Sequence, residues 1–133
     1  MEKLNCFKAY DIRGKVPLEL NPDLAYKIGR AFVNLVNAKK VVIGYDIRKS
    51  SLEISEALIK GLTDAGADVV NIGLCGTEMI YFSTPFLNGN GGIMITASHN
   101  PPEYNGMKFV KKDSVPVGYD SGLNIVEEMI LKN

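Results

Sequence analysis

Apolar and polar residues alternate along the chain in two kinds of block, one with helical and one with strand periodicity. The first helical block opens at Asn21-Pro22, where an N-cap residue followed by proline is typical of a helix start. Apolar residues then recur every three or four positions, which predicts an amphipathic helix over residues 22–37. The β-branched run at residues 40–45 predicts a strand directly after this helix.

A second helix is predicted to follow the first strand. Ser50 with Glu53 three residues later is the pattern of a capping box, and Ala65-Gly66 marks the end of the helix. The same periodicities predict the remaining elements, namely strands at residues 68–72, 92–97 and 107–111, a short helix or turn at 77–86, and a final helix at 123–131.

The order of these elements predicts the fold class. Strands separated by helical crossovers of a dozen or more residues form parallel sheets covered by helices, whereas residues 92–111 read as a hairpin. We therefore expect an α/β domain with a mixed, mostly parallel sheet between helices. Sites in such sheets form at the carboxyl ends of the strands. The loops expected there are residues 46–51, 73–77 and 98–106.

Size and charge exclude several classes of protein. A chain of 133 residues and 14.5 kDa is one ordinary domain. Its formal net charge is zero, which argues against a nucleic-acid partner. No apolar run approaches the roughly 18–20 residues of a membrane helix, and no secretory signal is visible at the start. Cys6 and Cys75 suit a reducing cytoplasm, where each is expected to be a buried apolar side chain.

The loop between the two hairpin strands contains the densest chemistry. Ser98 is a hydroxyl nucleophile at a strand end, followed by His99, the only histidine. Asn105-Gly106 predicts a turn that folds Lys108 back beside Ser98. The alternative is an ordinary hairpin loop without chemistry. His99 is poorly placed as a base for Ser98, because adjacent side chains on a strand point apart.

Two further segments place an arginine after a β-like run. Arg13 is either a phosphate-binding fork or the partner of Asp11 in a surface ion pair. Arg48 is open between a structural role, in an ion pair with Asp46, and a substrate role. The serines that follow Arg48 either cap the second helix or mark a helix start that receives an anion.

Read together, these segments resemble the first domain of the α-D-phosphohexomutase family, the phosphomannomutases and phosphoglucomutases. The resemblance runs from residue 7 to the last helix and rests on three motifs, which are Tyr10-Asp11-Ile12-Arg13-Gly14, Gly44-x-Asp46-x-Arg48, and Thr96-Ala97-Ser98-His99-Asn100-Pro101 followed by Asn105-Gly106-x-Lys108. Gly76-Thr77-Glu78, where many members carry Pro-Thr-Pro, is similar to the enterobacterial-type phosphomannomutases that supply GDP-mannose.

The resemblance implies a three-layer α/β/α domain and a set of catalytic roles. Ser98 would be the phosphoserine that exchanges its phosphoryl group with a hexose monophosphate through a hexose 1,6-bisphosphate. Arg13 and Lys108 would bind and neutralise phosphate, and His99 and Lys108 are the candidates for handling the proton of the sugar hydroxyl. Mg²⁺ would contact the Ser98 phosphate, and hexose 1,6-bisphosphate would act as activator.

The resemblance also implies that residues 1–133 are a single domain, the first of four. The aspartate-rich metal loop, the sugar loop and the distal phosphate loop of the family are not in this sequence. We therefore expect the main Mg²⁺ ligands outside the chain, negligible activity of the chain alone, and an exposed apolar face where the other domains or a second copy dock. Phosphoglucomutase, and a non-catalytic module that binds a phosphosugar or a partner, are the alternatives.

Overall fold

The computed structural model describes residues 3–132, which form one sheet and four α-helices. The strands are β1 (Ile12–Lys15), β2 (Lys40–Tyr45), β3 (Asp68–Leu74), β4 (Gly91–Ile95), β5 (Tyr104–Lys111) and β6 (Val115–Val117). The helices are α1 (Pro22–Val36), α2 (Ser51–Asp64), α3 (Thr77–Phe86) and α4 (Asn124–Lys132).

The sheet is mixed, as the element order predicts. Its strand order is β1-β5-β4-β2-β3, with β6 paired to β5. β2 is parallel to both β3 and β4, whereas β5 is antiparallel to β4, β1 and β6. Periodicity did not predict β1 and β6, because a run of three or four residues is too short to show an alternating pattern. Both strands belong to the antiparallel half of the sheet.

Helices cover both faces of the sheet, so the three-layer architecture is confirmed. Side chains alternate between the faces along each strand. Ile93 and Ile95 of β4 belong to the larger core cluster, which also includes residues of α1 and α2. Met94 points to the other face, where it clusters with Ile80 of α3.

The helices α1 and α2 approach each other closely at two glycines. A Cβ atom added to Gly29 would lie 2.6 Å from the carbonyl oxygen of Leu58 in α2. A Cβ atom on Gly61 would overlap the carbonyl oxygen of Tyr26 in α1. The missing side chains therefore let the two backbones pack nearly in contact.

The predicted start of α1 is confirmed, and the predicted capping box of α2 is wrong. The Asn21 side chain accepts a hydrogen bond of 2.9 Å from the backbone N–H of Leu24. Ser50 has helical backbone angles and makes no capping hydrogen bond. Its Oγ instead accepts a hydrogen bond of 2.8 Å from the side chain of Asn105. A tertiary contact has therefore taken the hydroxyl that the local pattern assigned to the cap.

The α3 side of the sheet presents an exposed apolar surface. Phe82 and Phe86 are 59% and 70% exposed, and their rings stack with centroids 5.2 Å apart. Met79 of the same helix is also exposed. We call Met79, Phe82 and Phe86 the α3 surface. Within residues 3–132, no helix combines the length and the hydrophobicity needed to cross a membrane.

Candidate active site

The site lies where the parallel strands β2 and β4 end side by side. Tyr45 and Ile95 are paired at the ends of these strands. The backbone N–H of Asp46 donates a hydrogen bond of 3.0 Å to the carbonyl of Ile95. Beyond β4, Thr96 remains buried and Ser98 is exposed. Two of the three loops predicted to meet at this edge, residues 46–51 and 98–106, are therefore in contact there.

Ser98 adopts a backbone conformation that is uncommon for a residue with a side chain. Its φ angle is +54°, in the left-handed region. Its N–H donates a hydrogen bond of 3.0 Å to Thr96 Oγ1. The Ser98 hydroxyl has no hydrogen-bond partner among residues 3–132 and faces solvent. The strand end thus presents a free hydroxyl on a fixed backbone.

A polar network centred on Asp46 supports this loop from below. Asp46 Oδ2 accepts a hydrogen bond of 2.7 Å from the Thr96 hydroxyl, and Oδ1 accepts one of 2.6 Å from the Ser51 hydroxyl. The buried Asn105 side chain donates to the hydroxyls of Ser50 and Ser51, at 2.8 and 3.0 Å. No buried side-chain polar atom of the described residues lacks a partner, which is the condition for a rigid polar network.

The Arg48 guanidinium lies under the Ser98 loop. Its Nε is 3.3 Å from Asp46 Oδ2, so the predicted ion pair is confirmed. Its two terminal nitrogens donate to the backbone carbonyls of Ser98 (2.8 Å), Asn100 (2.8 Å), Pro101 (2.8 Å) and Tyr104 (3.0 Å). One side chain of the β2 loop therefore holds nearly the whole turn of the hairpin.

Arg13 lies beside the same loop with part of its hydrogen-bonding capacity free. It sits within β1, rather than after a strand, and pairs with Gly106 of β5. Its Nε donates to Asp11 Oδ1 at 2.9 Å, which confirms that ion pair. Its Nη1 is 3.4 Å from Asn100 Oδ1, while Nη2 has no partner within the described residues. The side chain is 40% exposed, so it retains donors for an anion.

The prediction that Asn105-Gly106 forms a turn is wrong. Both residues lie inside β5, and the turn occupies residues 98–103. Gly106 sits between two neighbouring strands, where an added Cβ would overlap the carbonyl oxygen of Ile12 and lie 2.9 Å from that of Thr96. The glycine thus serves close strand packing, and Asn105 serves the polar network. A turn signal and a packing requirement look alike in sequence.

The structure gives Lys108 and His99 different surroundings. Lys108 is half-buried in β5 and pairs with Met94, four residues before Ser98 in the chain. The hairpin as a whole, rather than a turn at Asn105-Gly106, returns Lys108 toward β4. His99 is exposed and directly follows Ser98. The roles that the resemblance assigns to these two residues remain predictions.

The described residues offer no complete site for a divalent metal ion. Across residues 3–132, no three side chains of His, Cys, Asp or Glu lie together. Both oxygens of Asp46 are engaged by Thr96, Ser51 and Arg48. A phosphate on Ser98 would supply oxygen ligands, and further ligands would have to come from elsewhere.

Thr96 and Asn105 were noted in the sequence only as members of a motif and, for Asn105, of a turn, and their part in the polar network was not predicted. Each is a polar residue next to or within a run of buried apolar ones, and each is itself buried, at 5% and 0% exposure. A polar side chain in such a run must have a buried partner, so that position is a usable signal. The identity of the partners, about 50 residues away in Asp46 and Ser51, is not visible in the sequence.

Comparison with known proteins agrees with this architecture. The model of the phosphoglucomutase/phosphomannomutase α/β/α domain I matches residues 4–133. The chain is 52% identical over 133 residues to a phosphomannomutase of Escherichia coli K12, covering all of this chain and 29% of that protein. It is 50% identical to a phosphomannomutase of Klebsiella pneumoniae, covering all of this chain and 85% of that protein.

A solved structure shares the fold. It is a phosphoglucomutase/phosphomannomutase family protein from Burkholderia thailandensis, with a TM-score of 0.87 and 36% identity. The match covers 99% of this chain and 31% of that one. The chain thus spans less than a third of the length of the E. coli and B. thailandensis proteins that it matches. On the family model and on relatives at about half identity along its whole length, the chain belongs to the phosphoglucomutase/phosphomannomutase family, as its α/β/α domain I.

Proposed function

We propose that this chain is the phosphoserine-bearing first domain of a phosphomannomutase, a cytoplasmic enzyme of carbohydrate metabolism that interconverts mannose 6-phosphate and mannose 1-phosphate. The observation that carries the proposal is the exposed Ser98 hydroxyl, presented at the end of β4 on a backbone with φ of +54°. The names of the E. coli and K. pneumoniae relatives support the choice of mannose.

The proposed phosphoryl exchange has two halves. A sugar hydroxyl attacks the phosphorus of phosphoserine 98, its bond to Ser98 Oγ breaks, and the product is a hexose 1,6-bisphosphate. His99 or Lys108 takes the proton of the attacking hydroxyl and returns it to Ser98 Oγ. After the bisphosphate reverses its orientation, Ser98 Oγ attacks the phosphorus of its other phosphoryl group and the bond from that phosphorus to the sugar oxygen breaks. The same base carries the Ser98 proton to the sugar oxygen, which regenerates the phosphoserine and releases the isomer.

Cations are needed around this dianionic group. Arg13 is suited to this task because its Nη2 is free within the described residues and its side chain is 40% exposed. Lys108 is the second cation of the proposal. Mg²⁺, when bound at the Ser98 phosphate, would neutralise charge there. Added hexose 1,6-bisphosphate would restore phosphate to Ser98 whenever it is lost, and so act as activator.

We further propose that three more domains complete the enzyme and that the chain alone has negligible turnover. The absence of a three-ligand metal cluster from residues 3–132 supports this, as does the share of its long relatives that the chain spans. The α3 surface is the proposed contact with the remaining domains. A phosphoglucomutase domain is the second candidate, since the matched family model covers both activities.

The test uses a hybrid mutase, in which this chain replaces the matching first 29% of the E. coli phosphomannomutase. The hybrid is expected to carry phosphate on Ser98 and to convert mannose 1-phosphate faster than glucose 1-phosphate. Ser98→Ala should remove the phosphate, seen by mass spectrometry, and lower turnover by at least about 10³-fold. Ser121→Ala, at an exposed serine away from β4, is the matched control and should keep turnover within about twofold.

Three outcomes would contradict the proposal. Full activity of the Ser98→Ala hybrid would exclude Ser98 as the nucleophile. A folded hybrid with neither turnover nor phosphate on Ser98 would exclude a catalytic role for the chain. Binding of a phosphosugar without turnover would then favour the alternative of a non-catalytic phosphosugar-binding module. Turnover by the 133-residue chain alone at the hybrid's rate would exclude the need for further domains.

A further inference from the structure

We infer that Arg48 is a positioning residue that fixes the backbone of the Ser98 loop, and that it is not a ligand of the substrate phosphate. The catalytic consequence of this inference rests on the proposed function. The structural part, that Arg48 fixes the loop backbone, concerns only the folded chain and is tested independently of the proposed function.

The guanidinium group of Arg48 has five N–H bonds and no acceptor. Four of them, on the two terminal nitrogens, donate to the carbonyls of Ser98, Asn100, Pro101 and Tyr104 at 2.8–3.0 Å. The fifth is on Nε, which lies 3.3 Å from Asp46 Oδ2 in an ion pair. A phosphate could bind Arg48 only by displacing contacts that hold the loop.

Exposure separates the two arginines of the site. The Arg48 side chain is 12% exposed and the Arg13 side chain is 40% exposed. Arg13 has one short contact, to Asp11, one longer contact of 3.4 Å to Asn100, and a free Nη2 within the described residues. Arg13, which is accessible and has free N–H donors, is therefore suited to bind an anion. Arg48, whose donors are already engaged, is suited to support the loop.

The contacts of Arg48 fall on the backbone that sets the direction of the Ser98 side chain. Arg48 holds the Ser98 carbonyl, and Thr96 holds the Ser98 N–H at 3.0 Å. Both peptide groups that flank the Ser98 Cα are thereby tied to the polar network, since Thr96 bonds to Asp46 and Arg48 pairs with it. With both sides held, the φ angle of +54° and the direction of the Cα–Cβ bond that carries the hydroxyl are fixed.

Lysine cannot replace this arrangement. Its ammonium group is a single point with three donors, whereas the planar fork of arginine spreads its donors over two terminal nitrogens. Arg48→Lys keeps the positive charge and the ion pair with Asp46 but must release carbonyls of the loop. The substitution therefore separates the charge of Arg48 from its geometry.

The first experiment measures amide hydrogen exchange in the 133-residue chain by NMR. Arg48→Lys should lower protection of the Ser98 and Asn100 amides by at least about tenfold, while the amide of Ile93 in β4 stays unchanged. Arg30→Lys is the matched control, since Arg30 is an exposed arginine whose hydrogen bond goes to Tyr26. Unchanged protection of the Ser98 loop in Arg48→Lys would overturn the inference.

A second measurement uses the chain without substitutions, so the inference can be tested even if Arg48→Lys does not fold. The guanidinium protons of Arg48 should exchange with water at least about tenfold more slowly than those of Arg30. Equal exchange rates for the two arginines would show that the four carbonyl contacts do not persist in solution, and would overturn the inference.

The catalytic part is tested in the hybrid mutase. Arg48→Lys should lower kcat by at least about tenfold and leave KM for mannose 1-phosphate within about twofold, because it misplaces the nucleophile without touching the substrate. A raised KM with unchanged kcat would identify Arg48 as a substrate ligand and overturn the inference. Loss of activity on Ser98→Ala in the same hybrid tests the proposed function independently.

Discussion

At the scale of single residues, the main energetic question is what holds Ser98 in its conformation. A left-handed backbone at a residue other than glycine costs on the order of 1–3 kcal/mol. A hydrogen bond to a charged group contributes about 1.5–3 kcal/mol when formed inside a protein. Arg48 donates four such bonds to the loop that includes Ser98. The contacts are therefore large enough to maintain the strained residue, and the strain falls on the proposed nucleophile.

A second residue-scale prediction concerns Cys6 and alkaline pH. Burial raises the pKa of the Cys6 thiol from its ordinary 9.0 to about 11, in keeping with its complete burial. The folded chain thus keeps the thiol protonated where the unfolded chain ionises it. The stabilisation is present below pH 9 and is lost as the pH rises from about 9 to about 11.

The measurement is the free energy of unfolding in urea at pH 8, 10 and 11. Between the first and last pH, the chain with Cys6 should lose roughly 2 kcal/mol more than Cys6→Ala does. Cys75→Ala is the comparison, because burial also raises the pKa of this thiol but the thiol is only partly buried, so its effect on the pH profile should be smaller. Parallel pH profiles of the chain and Cys6→Ala would show that the Cys6 thiol ionises freely in the fold.

At the scale of elements, α1 and α2 start by different means although their sequences suggest the same one. The Asn21 side chain caps α1, whereas Ser50 and Ser51 at the start of α2 are part of the polar network beneath Ser98. The start of α2 is thereby tied to β5 through Asn105. A helix start that carries the site is stabilised by tertiary bonds in place of a local cap.

The cap of α1 gives the element-scale prediction. Asn21→Ala should lower the free energy of unfolding by about 1 kcal/mol, since the N–H of Leu24 loses its acceptor. Asn34→Ala, at an exposed position within α1, is the control and should change it by less than about 0.5 kcal/mol. Equal effects of the two substitutions in denaturant unfolding would contradict the capping role.

At the scale of the whole molecule, the two faces of the sheet are covered unequally. Within residues 3–132, α1, α2 and α4 contribute to the core on one face, and α3 is the only α-helix that contributes to the cluster on the other. The aromatic side chains of the α3 surface consequently remain in solvent. We expect this surface to be the contact with the remaining domains of the proposed enzyme.

The whole-molecule prediction is a Phe82→Ser, Phe86→Ser double variant. In the chain alone it should reduce binding of an apolar dye without lowering stability, since both side chains are mostly exposed. In the hybrid mutase it should lower the thermal midpoint. Leu18→Ser, at another exposed apolar residue, is the control for both readouts. An unchanged hybrid would exclude the domain contact, and a chain dimer that the double variant dissociates would assign the surface to a second copy.

The sequence by itself determined the elements whose signals are local. Periodicity and an Asn-Pro start located α1, and a β-branched run located β2 at residues 40–45. The motifs around Arg13, Arg48 and Ser98 also sufficed to identify the family and the end of β4 as the candidate site. These features depend on residues that are close together in the sequence, so they can be predicted from the sequence alone.

Only the tertiary structure decided the roles within the site. Arg48 acts on carbonyls 50 to 56 residues away, and Asn105 reaches serines 54 and 55 residues away. Asn105-Gly106 was mistaken for a turn, because the glycine is needed where β5 comes close to the carbonyl oxygens of Ile12 in β1 and of Thr96 after β4. Local pattern fixes which residues form strands and helices, whereas the partner of a side chain depends on how distant segments are brought together, and that is settled only when the whole sheet has formed.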